Sequence, residues 1–246
     1  MICCCSTAAI PLLGWSPLAA HAQQLYQLHN DGWIFRYTGT PCSGESCTGC
    51  VALDNNPRTR VLEAAGAQLY QIHNNGAVYK YTGTRCSGAS CTGLQRLDNN
   101  VKTRTIAVGW SNLYQMHNDG MIWRYTGTPC SGDACGGWER LDNNPKTRAI
   151  QAGNYNLYQL HSDGGVFKYT GTPCDGASCA GWQRLDNNPK AVAITAVEDN
   201  LYQLHNDGAI YRCTGTPCSG ATCTGWQRLD FNAKTIAITG YGNNLF

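Results

Sequence analysis

Ten of the fifteen cysteines fall into five C-x4-C pairs: Cys42/Cys47, Cys86/Cys91, Cys130/Cys135, Cys174/Cys179 and Cys218/Cys223. A glycine sits inside every pair, as in Ser-Gly-Glu-Ser between Cys42 and Cys47. It lets the chain double back until two Cα atoms come within disulfide range. Zinc would want closer pairs or a histidine at fixed offset, and four ligands, and no histidine lies near these loops. The spacing is therefore read as five local disulfides, with zinc and free thiols as the weaker alternatives and no metal expected. Cys50 and Cys213 stand where other units have Trp and Tyr, and the sequence leaves their pairing open, as it does for Cys3, Cys4 and Cys5.

Histidine recurs too, at His29, His73, His117, His161 and His205. A catalytic histidine would stand apart from its copies, beside a nucleophile or a carboxylate. These five look alike, so each is read as bonded within its own sheet, to the Asp that ends the last strand. No phosphate loop, nucleophile elbow or zinc-protease motif is present. No catalytic residue and no cofactor is expected, and the chain is read as a non-enzyme.

Two polar clusters recur with the histidines. The first is the turn Asn30-Asp31-Gly32, Asn118-Asp119-Gly120 and Asn206-Asp207-Gly208, varied as Asn74-Asn75-Gly76 and Ser162-Asp163-Gly164. The second is an Asp followed by two amides: Asn55-Asn56, Asn99-Asn100, Asn143-Asn144 and Asn187-Asn188. Two amides after the Asp exceed what a turn needs, and carboxylates with amides can clamp adjacent sugar hydroxyls. This Asn/Asp rim is the first candidate binding surface. The second candidate is an aromatic set, Tyr125, Trp138, Tyr169, Trp182 and Trp226, whose rings could stack on the apolar face of a pyranose. One base per unit (Arg36, Lys80, Arg124, Lys168, Arg212) lies beside the tyrosine position, on the opposite face by alternation, able to ion-pair or to donate to a ligand hydroxyl.

The elements that position these groups follow from a repeat. Leu25-Tyr26-Gln27-Leu28-His29 returns every 44 residues, giving units 25–68, 69–112, 113–156, 157–200 and 201–244. Each unit reads as four short strands. In the third, Arg104 to Val108, Asn112 to His117, Met121 to Tyr125 and Trp138 to Leu141 are separated by Asp-Gly, a Gly/Ser/Cys loop and Asp-Asn-Asn-Pro. Four strands per unit, five times over, predict an all-β, five-bladed propeller of four-stranded blades. If Lys146 to Gly153 is the inner strand of its blade, the repeat begins in mid-blade. The segment Lys234 to Gly240 would then pair with the first blade and close the ring, leaving no open edge. The alternative phase makes each 44-residue unit one blade. In the first phase the turn clusters gather on one rim, and the aromatics with the disulfide loops on the other.

Residues 1–22 differ from the rest: they hold no Lys or Arg, and Ala20-His21-Ala22 has the form of a signal-peptidase site. They are read as a secretion leader of unusual form, or an unstructured one, which together with the cysteines predicts a secreted or extracellular protein. Charged residues make up 14% of the chain, with a formal net charge of +2. That balance argues against a nucleic-acid partner, and no apolar stretch is long enough for membrane insertion.

The core Asn-Leu-Tyr-Gln-Leu-His-Asn-Asp-Gly-x-Ile-x-Arg-Tyr and the Trp-led outer strand resemble the tachylectin-2 and tectonin-type propeller lectins, over residues 25–246. That resemblance implies a multivalent lectin with up to five equivalent sites for sugars such as N-acetylated hexosamines, acting as a monomeric ring on glycans or glycoconjugates. The C-x4-C loop departs from that family's pattern. The other reading is a protein-binding propeller scaffold with no sugar site.

Overall fold

The computed structural model describes residues 24–41, 43, 48–86, 92–241 and 244–246. The leader read at 1–22, the pair Cys42/Cys47 and Cys91 lie outside the described residues. The chain divides into two compact units, 1–96 and 97–246. Among the described residues no helix is long and apolar enough to cross a membrane.

The first unit holds a three-stranded sheet of β1 (Tyr26–Leu28), β2 (Ile34–Tyr37) and β3 (Cys50–Asp54). It also holds most of a four-stranded sheet of β4 (Thr59–Ala65), β5 (Gln68–His73), β6 (Val78–Tyr81) and β7 (Leu94–Asp98), the unit boundary falling inside β7. Ile34, Leu53 and Leu69 form its buried cluster.

The second unit carries three four-stranded sheets. The first comprises β8 (Thr103–Val108), β9 (Leu113–His117), β10 (Ile122–Tyr125) and β11 (Trp138–Asp142). The next comprises β12 (Thr147–Ala152), β13 (Leu157–His161), β14 (Gly165–Tyr169) and β15 (Trp182–Asn187). The last comprises β16 (Ala191–Val197), β17 (Asn200–His205), β18 (Ala209–Cys213) and β19 (Trp226–Phe231). A hairpin of β20 (Gly240–Tyr241) and β21 (Asn244–Leu245) follows. All neighbours in these sheets are antiparallel, in the order A-B-C-D, so each sheet is a propeller blade. Every complete blade takes its A strand from the end of one 44-residue unit and its other three from the next. The segment 235–239 is not a strand, and β1 has β2 as its described partner. The pairing expected to close the ring is thus not among the described ladders.

Hairpin chemistry sets the B–C turns. Gly120 has φ +84°, a conformation that costs an L side chain strain, and a Cβ there would lie 2.2 Å from the Asn144 carbonyl oxygen. The B–C turn therefore rests directly on the D–A turn of its own blade. At the C–D pairing a bulge recurs: Ile122 faces Asp142 while Trp123 faces Arg140, leaving Leu141 as the extra residue. That bulge allows Leu141 and Asp142, neighbours in sequence, both to be buried. Simple alternation would have put one of them in solvent.

Burial is uneven along the chain. Leu141 on β11 is 0% exposed, whereas its counterpart Leu229 on β19 is 46% exposed and Phe231 57%. The corresponding leucines of the earlier D strands, Leu53, Leu97 and Leu185, are all buried.

Candidate functional site

The Asn/Asp rim is where the spacing places it, but its side chains are largely engaged within the protein. Asp54, Asp98 and Asp186 are buried, and each accepts from a glutamine on the B strand of the next blade: Gln71 at 2.9 Å, Gln115 at 2.8 Å and Gln203 at 2.9 Å. The same Gln71 accepts from Thr59 Oγ1 at 2.6 Å, and Gln115 from Thr103 Oγ1 at 3.2 Å. Buried Thr–Gln–Asp chains thus join these blades at Asp54 and Asp98, whereas at Asp186 the Thr position is Ala191 and Gln203 Oε1 is buried without a partner, as is Asp142 Oδ2. Burial nevertheless holds the Asp142 carboxyl above the usual range, against hydrogen bonds that lower it.

The paired amides are occupied as well. Asn99 Nδ2 donates to the Asp133 carbonyl at 3.0 Å, Asn143 to Ala177 at 2.9 Å and Asn187 to Ala221 at 3.2 Å. The second amides cap their own turns: Asn56, Asn100, Asn144 and Asn188 accept from the backbone nitrogen two residues on. Asn55 has an internal partner too. In the B–C turns, Asp31 accepts from Trp33 N, and Asp119, Asp163 and Asp207 accept from the corresponding nitrogens. These last three also pair with Lys102, Lys146 and Lys190 at 3.0, 2.8 and 2.9 Å. Asn30, Asn118 and Asn206 remain exposed at the turn tips. The polarity read as surplus is therefore mainly a fastening, and as a sugar clamp this rim offers little that is free.

Two further expectations change. The histidines do not reach the Asp of the D strand, because the B-strand glutamine holds that place. His117, His161 and His205 bury Nε2 without a partner, lie tilted against the rings of Trp123, Phe167 and Tyr211, and burial lowers their pKa. The disulfide loops do not stand at the far rim. Cys130–Cys135, Cys174–Cys179 and Cys218–Cys223 are formed, and their loops lie back along the D strand of the preceding blade. Cys174 N donates to Arg140 O at 3.1 Å, and Cys218 N to Arg184 O at 3.0 Å. The guanidinium groups of Arg140 and Arg184 return the contact to the carbonyls of Gly176 and Gly220. In this way each loop clips onto its predecessor and covers an otherwise open strand edge. Cys50 and Cys213 are not in disulfides.

The aromatic set is similarly used. Trp138, Trp182 and Trp226 are half-buried and donate Nε1 to the carbonyls of Leu97, Leu141 and Leu185 at 2.9, 3.0 and 2.9 Å. Tyr125 and Tyr169 pack on Trp138 and Trp182 with ring centroids 5.2 Å apart. Their indole faces are thus packed within and between blades.

What the second unit leaves open lies between blades, at the end carrying the A–B turns. A cleft of about 400 Å³ opens between the β8–β11 and β12–β15 sheets, lined by Tyr114, Arg124, Tyr155, Asn156, Lys168 and Tyr169 among others. Opposite faces of successive blades meet here, which is why Arg124 and Tyr169 share one space. Tyr169 Oη is buried without a hydrogen-bond partner. Burial raises that phenol's pKa, while Arg124 across the cleft pulls it down. Arg124 pairs with Glu139 at 2.5 Å. Among the described residues no carboxylate pairs with Lys168. The next cleft along, of about 130 Å³, has Tyr158 and Lys168 in the corresponding places, but Asp199 replaces Tyr155 and Cys213 replaces Tyr169. The clefts are therefore not equivalent, contrary to what the repeat implies.

Beside the larger cleft, Trp110 is 53% exposed and Tyr155 72%. They sit on successive A–B turns, joined by Trp110 N donating to the Asn154 carbonyl at 3.1 Å. In the first unit, Glu63 on β4 stands out, because burial pushes its carboxyl up to about 7. Its counterparts are Ala107, Gln151 and Thr195, so the blades do contain an asymmetric titratable group that the sequence reading passed over. The A–B aromatics, Asn156 and the B-strand glutamines were also missed. The glutamine had a visible signal: a polar residue at a fixed place in an otherwise apolar strand.

No protein-family model and no curated protein matches the sequence. Solved structures do. The chain is similar to Prp20p from Saccharomyces cerevisiae at 14% identity and a TM-score of 0.59, covering 89% of this chain and 65% of that one. It is similar to human WBSCR16 at 11% identity and a TM-score of 0.58, covering 86% and 66%. Yeast RCC1 (Prp20) in its structure with Kap60 gives 13% identity and a TM-score of 0.59, covering 88% and 64%. The chain thus spans just under two thirds of these relatives' length. At such identities the likeness shows the β-propeller fold alone.

Proposed function

We propose that this protein is a non-enzymatic, protein-binding propeller whose working surface is the end carrying the A–B turns. The observation that carries this reading is the contrast between the two ends. Most polar side chains of the Asn/Asp rim are tied up in bonds within and between blades, with Asn30, Asn118 and Asn206 left exposed. At the other end Trp110 and Tyr155 stand exposed beside two cations. Aromatic residues with arginine are the composition of interface anchors. Among the similar structures, Prp20p is described for its binding to Gsp1p and histones, and yeast RCC1 is seen bound to Kap60; this precedent supports a protein partner for the fold. Three local disulfides are compatible with an extracellular setting.

A photo-crosslinking residue at position 155 tests this. Capture of a discrete protein at position 155, its absence with the crosslinker at position 188, and its loss on Trp110→Ala are the expected results. Excess free N-acetylglucosamine should not compete. Capture from position 188 alone would refute the choice of surface.

One observation favours a second reading, a lectin. The cleft is phenol-lined and recurs between blades, a shape suited to a small polyhydroxylated ligand. A positive glycan array, with binding lost on Tyr169→Ala, would establish that reading in place of the first.

A further inference from the structure

Three seams between successive sheets in the second unit share one kind of unsatisfied atom. His117, His161 and His205 are almost fully buried, and the Nε2 of each has no hydrogen-bond partner. The glutamine two residues earlier shows which way the rings face. Gln115 donates to Asp98 and Gln203 to Asp186, each on the preceding D strand, and residues two apart on a strand share a face. The imidazoles are therefore packed into the seams, against Trp123, Phe167 and Tyr211.

The charged groups around each ring form a fixed set. His117 meets Asp98 from the preceding D strand, Asp119 from the B–C turn and Lys102 from the D–A turn. His161 meets Asp142, Asp163 and Lys146 in the same places, and His205 meets Asp186, Asp207 and Lys190. The A strands place Thr103, Thr147 and Ala191 opposite the three rings, none of them titratable. Most of these carboxylates are already engaged. Asp98 accepts from Gln115 and Asn99 N, and Asp186 from Gln203 and Asn187 N. Asp119, Asp163 and Asp207 hold their lysines. Asp142 Oδ2 and Gln203 Oε1 are buried without any partner, so neither is bonded to the histidine beside it. At the first seam the other unpartnered atom is the Trp123 indole nitrogen, which is a donor.

A neutral imidazole tolerates such a place, because Nε2 can be the unprotonated nitrogen of the ring. An imidazolium does not, since both nitrogens then carry protons and the charge is cut off from water. It is satisfied only if the ring moves to solvent or to a carboxylate, and either movement disturbs the seam. His73 in the first unit differs, because its Nε2 lies 3.3 Å from Gln71 Oε1, an acceptor for that second proton.

We propose that these three seams are an acid-sensitive conformational switch: each takes up its proton by opening, so acidification loosens the second unit and spares the first. The direction follows from burial, which lowers all three histidine values. The stability of the neutral rings is complete above about pH 6.5 and is lost as pH falls below it. Asp119, Asp163 and Asp207, where the lysine bonds outweigh burial, titrate only below about pH 4. Asp142, raised by burial, acts in the opposite sense, as does Glu63 in the first unit. The switch does not depend on what the protein binds.

The test uses the full chain. Hydrogen exchange read by mass spectrometry, corrected for the intrinsic pH dependence, is compared at pH 7.5 and pH 5. Peptides covering β9, β13 and β17 should lose protection at least about tenfold at pH 5, and those covering β5 less than about twofold. Nitrogen NMR of the imidazoles, assigned with His117→Gln, His161→Gln and His205→Gln, should find these three rings neutral at pH 6, where an exposed histidine is mostly protonated. His161→Gln, uncharged at both pH values, should shrink the acid loss in β13 about threefold or more and leave β5 unchanged. Rings that titrate near pH 6.5, or that titrate while protection is kept, overturn the proposal. So does an equal loss in β5, or a full acid loss in β13 of His161→Gln. Should a variant fail to fold, the wild-type exchange pattern decides alone.

Discussion

Glu63 lies on β4 opposite Tyr70, at a position that is Ala107, Gln151 or Thr195 in the following blades. Burial raises its carboxyl to about 7, against about 4.3 in an unfolded chain. Between those values the folded state holds a proton that the unfolded state has released, so stability falls as pH rises through this window and is lowest above pH 7. The difference of about 2.7 between the two values corresponds to about 3.7 kcal/mol at 1.36 kcal/mol per pH unit. The side chain keeps some contact with solvent, which screens part of that, so about 1–3 kcal/mol is expected. Glu63→Gln keeps the shape and removes the ionisation. Denaturant unfolding followed by circular dichroism at pH 5 and pH 8 should find the variant close to wild type at pH 5 and more stable by about 1–3 kcal/mol at pH 8. Taking the difference between the two proteins cancels every other titrating group, including the buried histidines. A gap that does not change with pH, or a wild type that is the more stable at pH 8, would refute the reasoning.

Three further outcomes follow from the links between blades. Gln115→Leu strands the buried Asp98 carboxylate without its Nε2 donor, and should cost about 3 kcal/mol in denaturant unfolding, with Asp98→Asn in the same background recovering part of it. Gly120→Ala meets both a positive φ and the Asn144 carbonyl, so a lowered melting temperature is expected, equivalent to about 2 kcal/mol or more, whereas Gly136→Ala, with open space at its Cβ, should be close to neutral. Replacing Cys174 and Cys179 together by Ser should cost about 2 kcal/mol by chain entropy, and should speed amide exchange at Arg184 no more than elsewhere, because that strand is clipped by the Cys218 loop and not by this one.

Much of the architecture was legible in the sequence. The 44-residue period, the Asp-Gly turns and the Trp-led fourth strand are local signals, and they specify strands, turns and blade order. The candidate site was less so, for two physical reasons. An amide in a turn looks the same whether it points to solvent or, like Asn143, to a carbonyl 34 residues further on. The cleft is made where opposite faces of two sheets meet, so its residues, such as Arg124 and Tyr169, belong to different blades and to different faces of their strands. Leu141 and Asp142 show a third limit, since a bulge rather than alternation decides that both are inside. Asymmetry was legible but overlooked: aligning the A strands at 44-residue offsets isolates Glu63 immediately.

The clips made by the described disulfide loops and by the tryptophans that open the D strands run in one direction. Cys174 N, Cys218 N and the indoles of Trp138, Trp182 and Trp226 each reach to the blade before their own. A row of such blades is like a zip with teeth on one side and sockets on the other: it has a grasping end and a graspable end. The uncovered face of β19, with Leu229 and Phe231 exposed, is a socket of the same make as those filled elsewhere along the chain. Contacts of this head-to-tail kind join into a ring if the rotation closes and into a filament if it does not. The residues that set blade spacing, such as Gly120 at its turn, therefore also decide which of those two objects the repeat can become.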